Sequence, residues 1–527
     1  MRFDWLSELL ARFEDEDILV RHGWAKKLRP AHMLDIDAEN WGKAAAAAAK
    51  FGCRWVGLWG DQRGKRIVVS VCLEYEGDYL ILRTGVDTET PILTSHTPYF
   101  RGADRLERHA QDMLGIVFSD HPDERRWTRH QAWEEDEYPL RHDFPVQGYK
   151  SDMAPPDGEY PFRRILGAGV YEIPVGPVHA GIIEPGHFRF SAVGENVLSL
   201  EQHLGYVHKG IEKIAVGRNP TSLARLAGRI SGDSTTAYSW ATCQALERAT
   251  SCTVPERANW LRGILCERER VANHLGDIGA ICNDVAFGFA LYQFHRLRED
   301  WQRRSLELFG HRFMMDRIIP GGVNVNLDAE AGAQLKSDHK QLRTELEKLY
   351  DILTDLPSLE DRLVTTGMLT QASAKALGVT GYVGKASGQP FDVRKASPYS
   401  PYQHLDVKVP EFSRGDVMAR MQVRMEEILG SLKLLDHLID SLPAGEVLTD
   451  LPETGAEAEG IGFIDGWRGE ILVYVRLDTD GKTRRFFPRD PSWFTWPALE
   501  LIQLENIVPD FPVCNKSVNG SYSGHDL

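Results

Sequence analysis

The chain contains 527 residues, of which 42% are hydrophobic and 26% are charged. These proportions are ordinary for a globular protein and exclude a disordered or fibrous chain. Its 76 acidic residues outnumber its 61 Lys and Arg residues, for a net charge of −15, and this argues against a nucleic-acid partner because such binding needs a positive surface. The sequence has no run of roughly 18 or more apolar residues and no apolar signal segment, so we expect a cytoplasmic protein without a transmembrane helix.

Residues 1–146 are predicted to form a small α+β domain. The turn-forming sequence Glu76-Gly77-Asp78 separates two strand-like segments, and an alanine run favours a helix just before them. The predicted elements are helices over Asp37–Phe51 and Arg105–Leu114 and a hairpin of Ile67–Tyr75 and Tyr79–Val86. Residues 147–160 contain two adjacent prolines and no periodic pattern, so we interpret them as a linker.

Residues 161–527 are predicted to be mainly helical. Stripes of apolar residues at helical spacing indicate long helices with a buried face, which we interpret as protein core rather than as a cofactor site. We expect these helices to begin at the capping-box sequence Thr253-Val254-Pro255-Glu256, at Asp328 and at Ser413. A small sheet over Val170–Phe190 and Ser191–Leu198, and a hairpin of Ile471–Leu477 and Arg484–Phe487, complete the prediction. The seven cysteines include no Cys-x-x-Cys pair, which predicts free buried thiols.

The first domain resembles the 30 kDa subunit family of respiratory complex I. The resemblance lies in Glu107–Ile116, His121-Pro122-Asp123, Arg125-Arg126 and Pro139–Pro145, in that order. Because the net charge of the chain is negative and this basic patch is local, we expect it to contact another subunit. The patch consists of Arg125, Arg126, Arg141 and His142.

The second domain resembles the 49 kDa subunit family of complex I, which is also the large-subunit family of nickel–iron hydrogenases. The matching segments are Gly176–His179, Glu184–Phe188, Gly205–Lys213, Val254–Ala258 and Gly384–Gly388, followed by Asp392, Arg394, Pro398 and Tyr399. The two families occur fused in the large subunits of formate hydrogenlyase and hydrogenase-4. The resemblance therefore implies an α+β fold, with a small α+β domain (1–146), a linker (147–160) and a mainly helical, hydrogenase-like domain with β decoration (161–527).

The sequence departs from the hydrogenases at the metal site. Those enzymes hold nickel and iron with two Cys-x-x-Cys pairs, and an ungapped placement puts other residues at all four thiolate positions. These residues are Ser231, Ser234, Ser521 and Gly524. A serine hydroxyl is a hard, weak donor and glycine has none, whereas nickel in such sites needs soft thiolates. We therefore expect no nickel–iron centre, no hydrogenase activity, no cofactor in this chain and no removable C-terminal extension.

Several residues near the lost metal site are candidates for proton transfer. Glu184 matches the family glutamate that carries protons away from the metal, and the alternative is a structural carboxylate that holds Arg189 or a backbone turn. Asp233, with His525 and Asp526 if the C-terminus returns to the core, could pass protons or bind a hard cation. The alternative is a hydrogen-bonded polar plug that fills the vacated space.

Other candidates follow from the same resemblance. Lys385 stands where the family usually has an arginine over the metal, and Asp392 and Arg394 form a pair that is either structural or catalytic. Three histidines lie near the stretch that lines the quinone cavity in complex I, although Glu184-Pro185 is of the hydrogenase type, and each is alternatively a satisfied surface or core histidine. They are His179, His203 and His208.

The resemblance implies a peripheral-arm subunit of a membrane-associated complex, on the inner face of the cytoplasmic membrane. The expected partners are a small iron–sulfur-type subunit, in which a cluster is possible, and antiporter-like membrane subunits that move ions. The chain would then couple a redox or conformational change to ion movement without a nickel–iron site. The alternatives are a non-catalytic scaffold and, more remotely, a catalytic subunit of the NADH:quinone oxidoreductase or hydrogenase type, so the sequence leaves open whether the chain is an enzyme.

Overall fold

The computed structural model describes residues 5–21, 27–148, 158–180 and 183–527. Most of the predicted linker, residues 149–157, lies outside these ranges. Within them, no helix is both long enough and apolar enough to cross a bilayer. All seven cysteines are free, and Cys252 is the one that is not fully buried.

The first part of the chain forms a six-stranded sheet covered by helices. Its elements are α1 (Trp5–Asp15), β1 (Val20–Arg21), β2 (Lys27–Leu28), β3 (Ala31–Ile36), α2 (Trp41–Phe51), β4 (Arg54–Arg63), β5 (Arg66–Tyr75), β6 (Asp78–Asp87), β7 (Ile92–Thr94), α3 (Asp104–Leu114) and β8 (Val117–Ser119). The strand order is β1-β3-β6-β5-β4, with β2 beside β3. Strand β3 runs parallel to β6, and the other pairs in this sheet are antiparallel.

The predicted elements of this region are confirmed with small shifts in their ends. The alanine run lies in α2, which begins at Trp41 after a short 3₁₀ turn and ends at Gly52 in a left-handed conformation. The predicted hairpin is β5 and β6, and its turn is possible because Glu76 and Gly77 both adopt positive φ.

The second part packs helices around a long central helix. Its first elements are β9 (Val170–Val175), β10 (His187–Val193), β11 (Asn196–His203), α4 (Ile211–Ile214), α5 (Pro220–Ala227), α6 (Thr235–Ala249), α7 (Glu256–Asp284), α8 (Gly288–Phe309), β12 (Ile318–Ile319) and β13 (Gly322–Val323). Helix α7 is buried on nearly every side, between α8 and the later helix α14.

The remaining elements complete this bundle. They are α9 (Ala329–Thr354), α10 (Pro357–Leu363), α11 (Gln371–Leu377), α12 (Gly381–Ala386), α13 (Val393–Ala396), α14 (Val417–Asp440), β14 (Ala458–Gly466), β15 (Gly469–Leu477), β16 (Thr483–Arg489), α15 (Ser492–Ile502), α16 (Phe511–Val518) and α17 (Tyr522–Asp526). The antiparallel sheet β14-β15-β16 packs on α6 through β14 and β15. The β decoration expected on a helical domain is thus confirmed.

Two helix starts and two features of the sheets in this region differ from the prediction. The capping box at Thr253 does not form, because α7 begins at Glu256 after Pro255 without a side-chain cap. Helix α14 begins at Val417 rather than near Ser413, because the Asp416 carboxylate accepts the N–H of Ala419 at 2.7 Å. The small sheet has three strands, β9 to β11, instead of the two segments predicted, and β14 was not predicted.

The two parts of the chain share buried ion pairs. Arg54 on β4 donates to Glu470 on β15 at 2.9 and 3.0 Å, and Asp61 accepts from Arg476 at 2.7 and 2.9 Å. The basic patch expected to contact another subunit also makes contacts inside the chain, and its role in subunit contact stays a prediction. Arg125 pairs with Glu201. Arg126 donates to the carbonyl oxygen of Trp133, and Arg141 donates to that of Leu114. The backbone N–H of His142 donates to the Gln62 side chain. Arg125 is thus paired with a carboxylate, whereas Arg126 and Arg141 donate to neutral carbonyl oxygens.

Candidate functional site

The two segments that would carry metal thiolates in a hydrogenase meet in the structure. Ser231, before α6, and Ser521, at the start of α17, have their Oγ atoms 2.8 Å apart. The Ser521 hydroxyl also accepts the N–H of Gly524 at 2.9 Å and so caps α17. The ungapped placement made from sequence therefore brings the expected residues together.

Asp233 is the charged group at this meeting point. Its Oδ1 atom accepts the Ser231 hydroxyl at 2.7 Å, and its two oxygens accept the Arg468 guanidinium at 2.8 and 2.7 Å. Burial opposes ionisation of Asp233, yet the guanidinium holds the pKa of its carboxyl below the usual value. We call Ser231, Asp233, Arg468 and Ser521 the polar site.

Arg468 is the member of the polar site that sequence reasoning missed. It lies in the turn between β14 and β15, and its Nε donates to the carbonyl of Asn519 at 2.7 Å. The preceding Trp467 donates its indole N–H to the carbonyl of Asp233 and to the Ser234 hydroxyl, each at 3.0 Å. The sequence does show a Trp-Arg-Gly segment that is typical of a turn after an apolar stretch. Because β14 is not predicted, this turn could not be assigned to a hairpin.

A cavity of about 700 Å³ opens beside the polar site. All four members of the polar site line it, together with Glu184 and with apolar side chains such as Ile183 and Phe188. Glu184 is exposed, and its carboxylate accepts the N–H of Ser523 at 3.1 Å. Arg189, the alternative partner for Glu184, instead pairs with Glu159 and Glu172. Glu184 is thus the solvent-facing carboxylate of a cavity that has the ionised Asp233 in its wall.

The donors of the polar site do not fit a nickel–iron centre. The serine hydroxyls are bonded to one another and to Asp233, and neutral hydroxyls are poor ligands for nickel. A side chain at Gly524 would place its Cβ 2.6 Å from Oδ2 of Asp490, an oxygen that is held by the Tyr238 hydroxyl. No group of three or more His, Cys, Asp or Glu residues is arranged to hold a metal ion in the parts of the chain described above.

His525 and Asp526 do not converge on Asp233, which corrects the sequence-based expectation. The His525 ring lies 4.1 Å from that of Trp493, and it accepts the indole N–H of Trp127 at 3.2 Å. The Asp526 carboxylate accepts from the amide of Val207 at 3.1 Å and contacts the ring of His525. These aromatic and backbone partners hold both side chains away from the cavity.

Lys385, Asp392 and Arg394 lie in a separate buried cluster rather than over the polar site. Lys385 donates to Asp392 and Glu427, each at 2.7 Å, and Arg394 bonds to Asp392 and to Glu267. We call this cluster the ion network. It comprises Glu267, Arg270, Lys385, Asp392, Arg394, Glu427 and Asp465. The only cation within salt-bridge distance of Asp233 in the described residues is Arg468.

The three histidines have different surroundings. His179 lines the cavity, and its Nε2 contacts the carbonyl oxygen of Gly186 at 2.8 Å. His203 is buried against Tyr160, with ring centroids 4.0 Å apart, and this burial lowers its pKa to about 2. His208 contacts the carbonyl of Asp526 through Nδ1 at 2.7 Å. Neither His203 nor His208 lines the cavity, so only His179 is placed to touch a ligand there.

Fold and site together define a 30 kDa-type domain followed by a 49 kDa, hydrogenase-type domain. The family model of the 30 kDa subunit of respiratory-chain NADH dehydrogenase matches residues 34–150. The nickel-dependent hydrogenase model matches 209–276, and the model of the 49 kDa subunit matches 284–460. The predicted domain boundaries are compatible with these ranges and stay a prediction.

Relatives that match along most of the chain identify the family to which it belongs. It is 32% identical to formate hydrogenlyase subunit 5 of Escherichia coli, over 85% of this chain and 79% of the relative. It is 30% identical to hydrogenase-4 component G of the same organism, over 85% and 78%. It is 31% identical to a subunit of the NADH-quinone oxidoreductase of Phocaeicola vulgatus, over 74% and 78%. The chain belongs to the family of fused 30 kDa/49 kDa complex I-type subunits.

A solved structure agrees with this assignment. One chain in the structure of the membrane-bound sulfane sulfur reductase, an archaeal respiratory membrane complex, matches with a TM-score of 0.64 and 25% identity. The match covers 69% of this chain and 100% of the other.

Proposed function

We propose that this chain is a peripheral-arm subunit of a membrane-associated complex, and that it couples a redox change to ion-moving membrane subunits without a nickel–iron centre. The family supports the assembly, since relatives are named as subunits of hydrogenases, of NADH-quinone oxidoreductase and of a respiratory membrane complex. A cytoplasmic position on the inner face of the membrane, with antiporter-like membrane subunits as partners, follows from the same relationship and is part of the proposal.

The observation that carries the proposal is the chemistry of the cavity. Hydroxyls and an Asp233–Arg468 ion pair stand where thiolates would be, yet the cavity beside them stays large. Its wall offers a fixed guanidinium and carboxylate that can orient a polar electron acceptor. Glu184, which faces solvent at the same cavity, is positioned to bring protons in.

The reaction in this proposal is the reduction of an acceptor other than protons. An iron–sulfur cluster in a neighbouring small subunit would supply two electrons, one at a time, and two protons from solvent would enter through the cavity wall. The acceptor is then released in its reduced, protonated form. This chain supplies the binding surface and the proton path, and it holds no cofactor of its own.

A scaffold role is the second candidate, and one feature of the structure favours it. The oxygens of Asp233 are already satisfied by Ser231, Ser234 and Arg468. Such a saturated cluster is also what a polar plug requires, since buried groups without partners cost about 1–3 kcal/mol each. In that case the chain would transmit conformational change to the membrane subunits without reducing anything.

A comparison of variants within the purified native complex distinguishes the two roles. With an affinity tag on this chain, the redox proposal expects an iron–sulfur subunit and membrane subunits to co-purify. Asp233→Asn and Glu184→Gln are then expected to lower reductase activity tenfold or more, on the scale of general acid–base effects. The matched control is Glu330→Gln, which changes an exposed carboxylate on α9. Variants that shift the melting temperature but retain full activity would support the scaffold, and a chain without membrane partners would contradict both roles.

A further inference from the structure

A second buried carboxyl lies behind the polar site, on the central helix. Glu269 is 5% exposed, and its two oxygens accept the backbone N–H groups of Thr236 and Ala237 at 2.6 and 3.1 Å. It thereby satisfies the first turn of α6 from a neighbouring helix. Among the described residues, no Lys, Arg or His lies within salt-bridge distance of it. Glu269 is therefore a buried acid without a counter-ion.

The adjacent Arg268 is a buried cation with an unpaired N–H group. Its guanidinium is fully buried, is stacked 4.0 Å from the ring of Trp301 and donates to Ser305 and to the Trp301 carbonyl. Its Nη1 has no hydrogen-bond partner, and no carboxylate of the described residues lies within salt-bridge distance of the guanidinium. A buried N–H group left unpaired destabilises the folded state by about 1–3 kcal/mol. A hydrogen-bond acceptor at Nη1 would therefore stabilise the protein.

Both side chains line one small cavity. Its volume is about 10 Å³, which is close to the space that a single water molecule needs. Gly232 and Asp233 line this cavity and also the large one, so they form the wall between the two. Gln302 and Arg312 also line the small cavity, and the exposed Arg312 side chain donates to Gln302 at 2.7 Å.

We propose that one water molecule bridges Arg268 and Glu269 in this cavity, and that together they form a proton-exchange route between the polar site and the surface beside Arg312. Along this route a proton moves from the Glu269 carboxyl to the water while another leaves the water toward solvent. The Glu269 carboxylate then takes up a proton from the side of the polar site, so that only O–H bonds form and break. The route rests on the proposed function for its use. It is separate from Glu184, which lines only the large cavity.

The electrostatics around Glu269 suit such an exchange. Burial raises the pKa of its carboxyl to about 8, against the lowering effect of the two N–H groups of α6, and the nearby Asp233 raises it further. The charged groups that line the small cavity with it are Asp233 from the segment before α6, Arg268 on its own helix and Arg312 from the loop after α8. Arg468 lies beyond Asp233, to which it is already bonded. A carboxyl that titrates near neutral pH can both hold and release a proton.

Infrared spectroscopy and proton-exchange measurements on the purified native complex test the route. The wild-type complex is expected to show the carbonyl band of a protonated carboxylic acid, which Glu269→Gln removes and the exposed control Glu307→Gln retains. Reductase activity of Glu269→Gln should fall about fivefold or more, with a changed pH profile. Gln302→Leu, which removes the polar side chain that bonds to Arg312, should slow activity while keeping the band, and so provides a second test if Glu269→Gln folds poorly.

The outcomes separate this route from the function on which it rests. A crystal structure that resolves a water between Arg268 and Glu269, with the infrared band assigned to Glu269, supports the site even if the complex catalyses no reduction, and that second result would refute the proposed function alone. A dry cavity, or an active complex whose pH profile is unchanged in Glu269→Gln and Gln302→Leu, would overturn the route and leave the proposed function standing.

Discussion

The polar site and the ion network are both buried and charged, but they differ in their access to solvent. The ion network is closed: Lys385, Asp392 and Glu267 are fully buried, and each is bonded to an oppositely charged partner. The polar site has only one ion pair. The side chain of its Asp233 is 34% exposed to solvent and lines a cavity of about 700 Å³. A closed network fixes the positions of helices, whereas an ion pair in a cavity wall is accessible to a ligand that binds in the cavity.

This difference in solvent access distinguishes candidate site residues that the sequence alone does not distinguish. Asp392 and Arg394 are as polar and as close to the family motifs as Asp233, yet they bond to each other and to the buried Lys385 and Glu267. The pairing has a large effect on their ionisation, since Arg394 and Lys385 hold the pKa of Asp392 well below its usual value against burial. This difference favours a structural role for Asp392 and Arg394, and the proposed function gives Asp233 its role at the cavity.

Removing a cation from the ion network is the change with the largest expected effect on stability. Arg394→Met leaves Glu267 and Asp392 buried without their shared partner, and breaking a buried pair costs about 3–5 kcal/mol. Denaturant unfolding of the purified chain measures this loss. Lys408→Met removes an exposed partner of Asp406 and serves as the control, with no measurable change expected. Equal stability of the two variants would show that the network does not hold the fold.

Acid should weaken the contact between the two domains through Glu470. Burial opposes its ionisation, but Arg54 and Arg489 lower its pKa from 4.5 to about 2. Because the folded-state pKa is depressed, the stabilisation is present above about pH 4.5 and is lost as the pH falls toward 2. The shift corresponds to about 3 kcal/mol. Unfolding free energies across this range should therefore fall less steeply in Glu470→Gln than in the wild type, and parallel slopes would contradict the assignment.

The polar site should be less sensitive than the network. Arg468→Gln leaves the Asp233 carboxylate partly unpaired, and we expect a loss of about 1–3 kcal/mol. Asp233→Asn should relieve part of that loss in the double variant, because no unpaired charge then remains. A double-mutant cycle by chemical denaturation measures this coupling. If the two changes add without coupling, the Asp233–Arg468 salt bridge contributes nothing to stability.

The smallest effect is expected for the hydroxyl pair that replaces two thiolate positions. Ser521→Ala removes the bond to Ser231 and the cap on Gly524, and each such neutral bond contributes about 1 kcal/mol. Thermal unfolding should register a small decrease in melting temperature with little change in activity. A rise in stability would indicate that the hydroxyls are not paired in solution.

Much of the fold was predictable because local signals agree with it. The alanine run of α2, the Glu76-Gly77 turn and the Asp328 cap of α9 each specify their own conformation through short-range physics. The meeting of Ser231 with Ser521 was also predictable, but only because flanking motifs set the frame for both segments.

Other features depend on long-range packing that no local pattern records. Strand β14 supports the turn that carries Arg468, and its glycines lie against the backbone of α6, as at Gly460 and Ala245. His525 was predicted to join Asp233, yet the aromatic surface of Trp127 and Trp493 takes its ring instead. The direction of a side chain at a junction between domains is decided by such partners, and Trp127 lies 398 residues away from His525 in the sequence.

Metal analysis of the native complex tests the central claim most directly. The claim is that this member of a hydrogenase-related family works without nickel, because hydroxyls and an Asp233–Arg468 pair stand where thiolates would bind the metal. Elemental analysis of the active complex, purified through a tag on this chain, should find nickel at background level. Close to one nickel per chain, together with hydrogen uptake or evolution, would contradict the account.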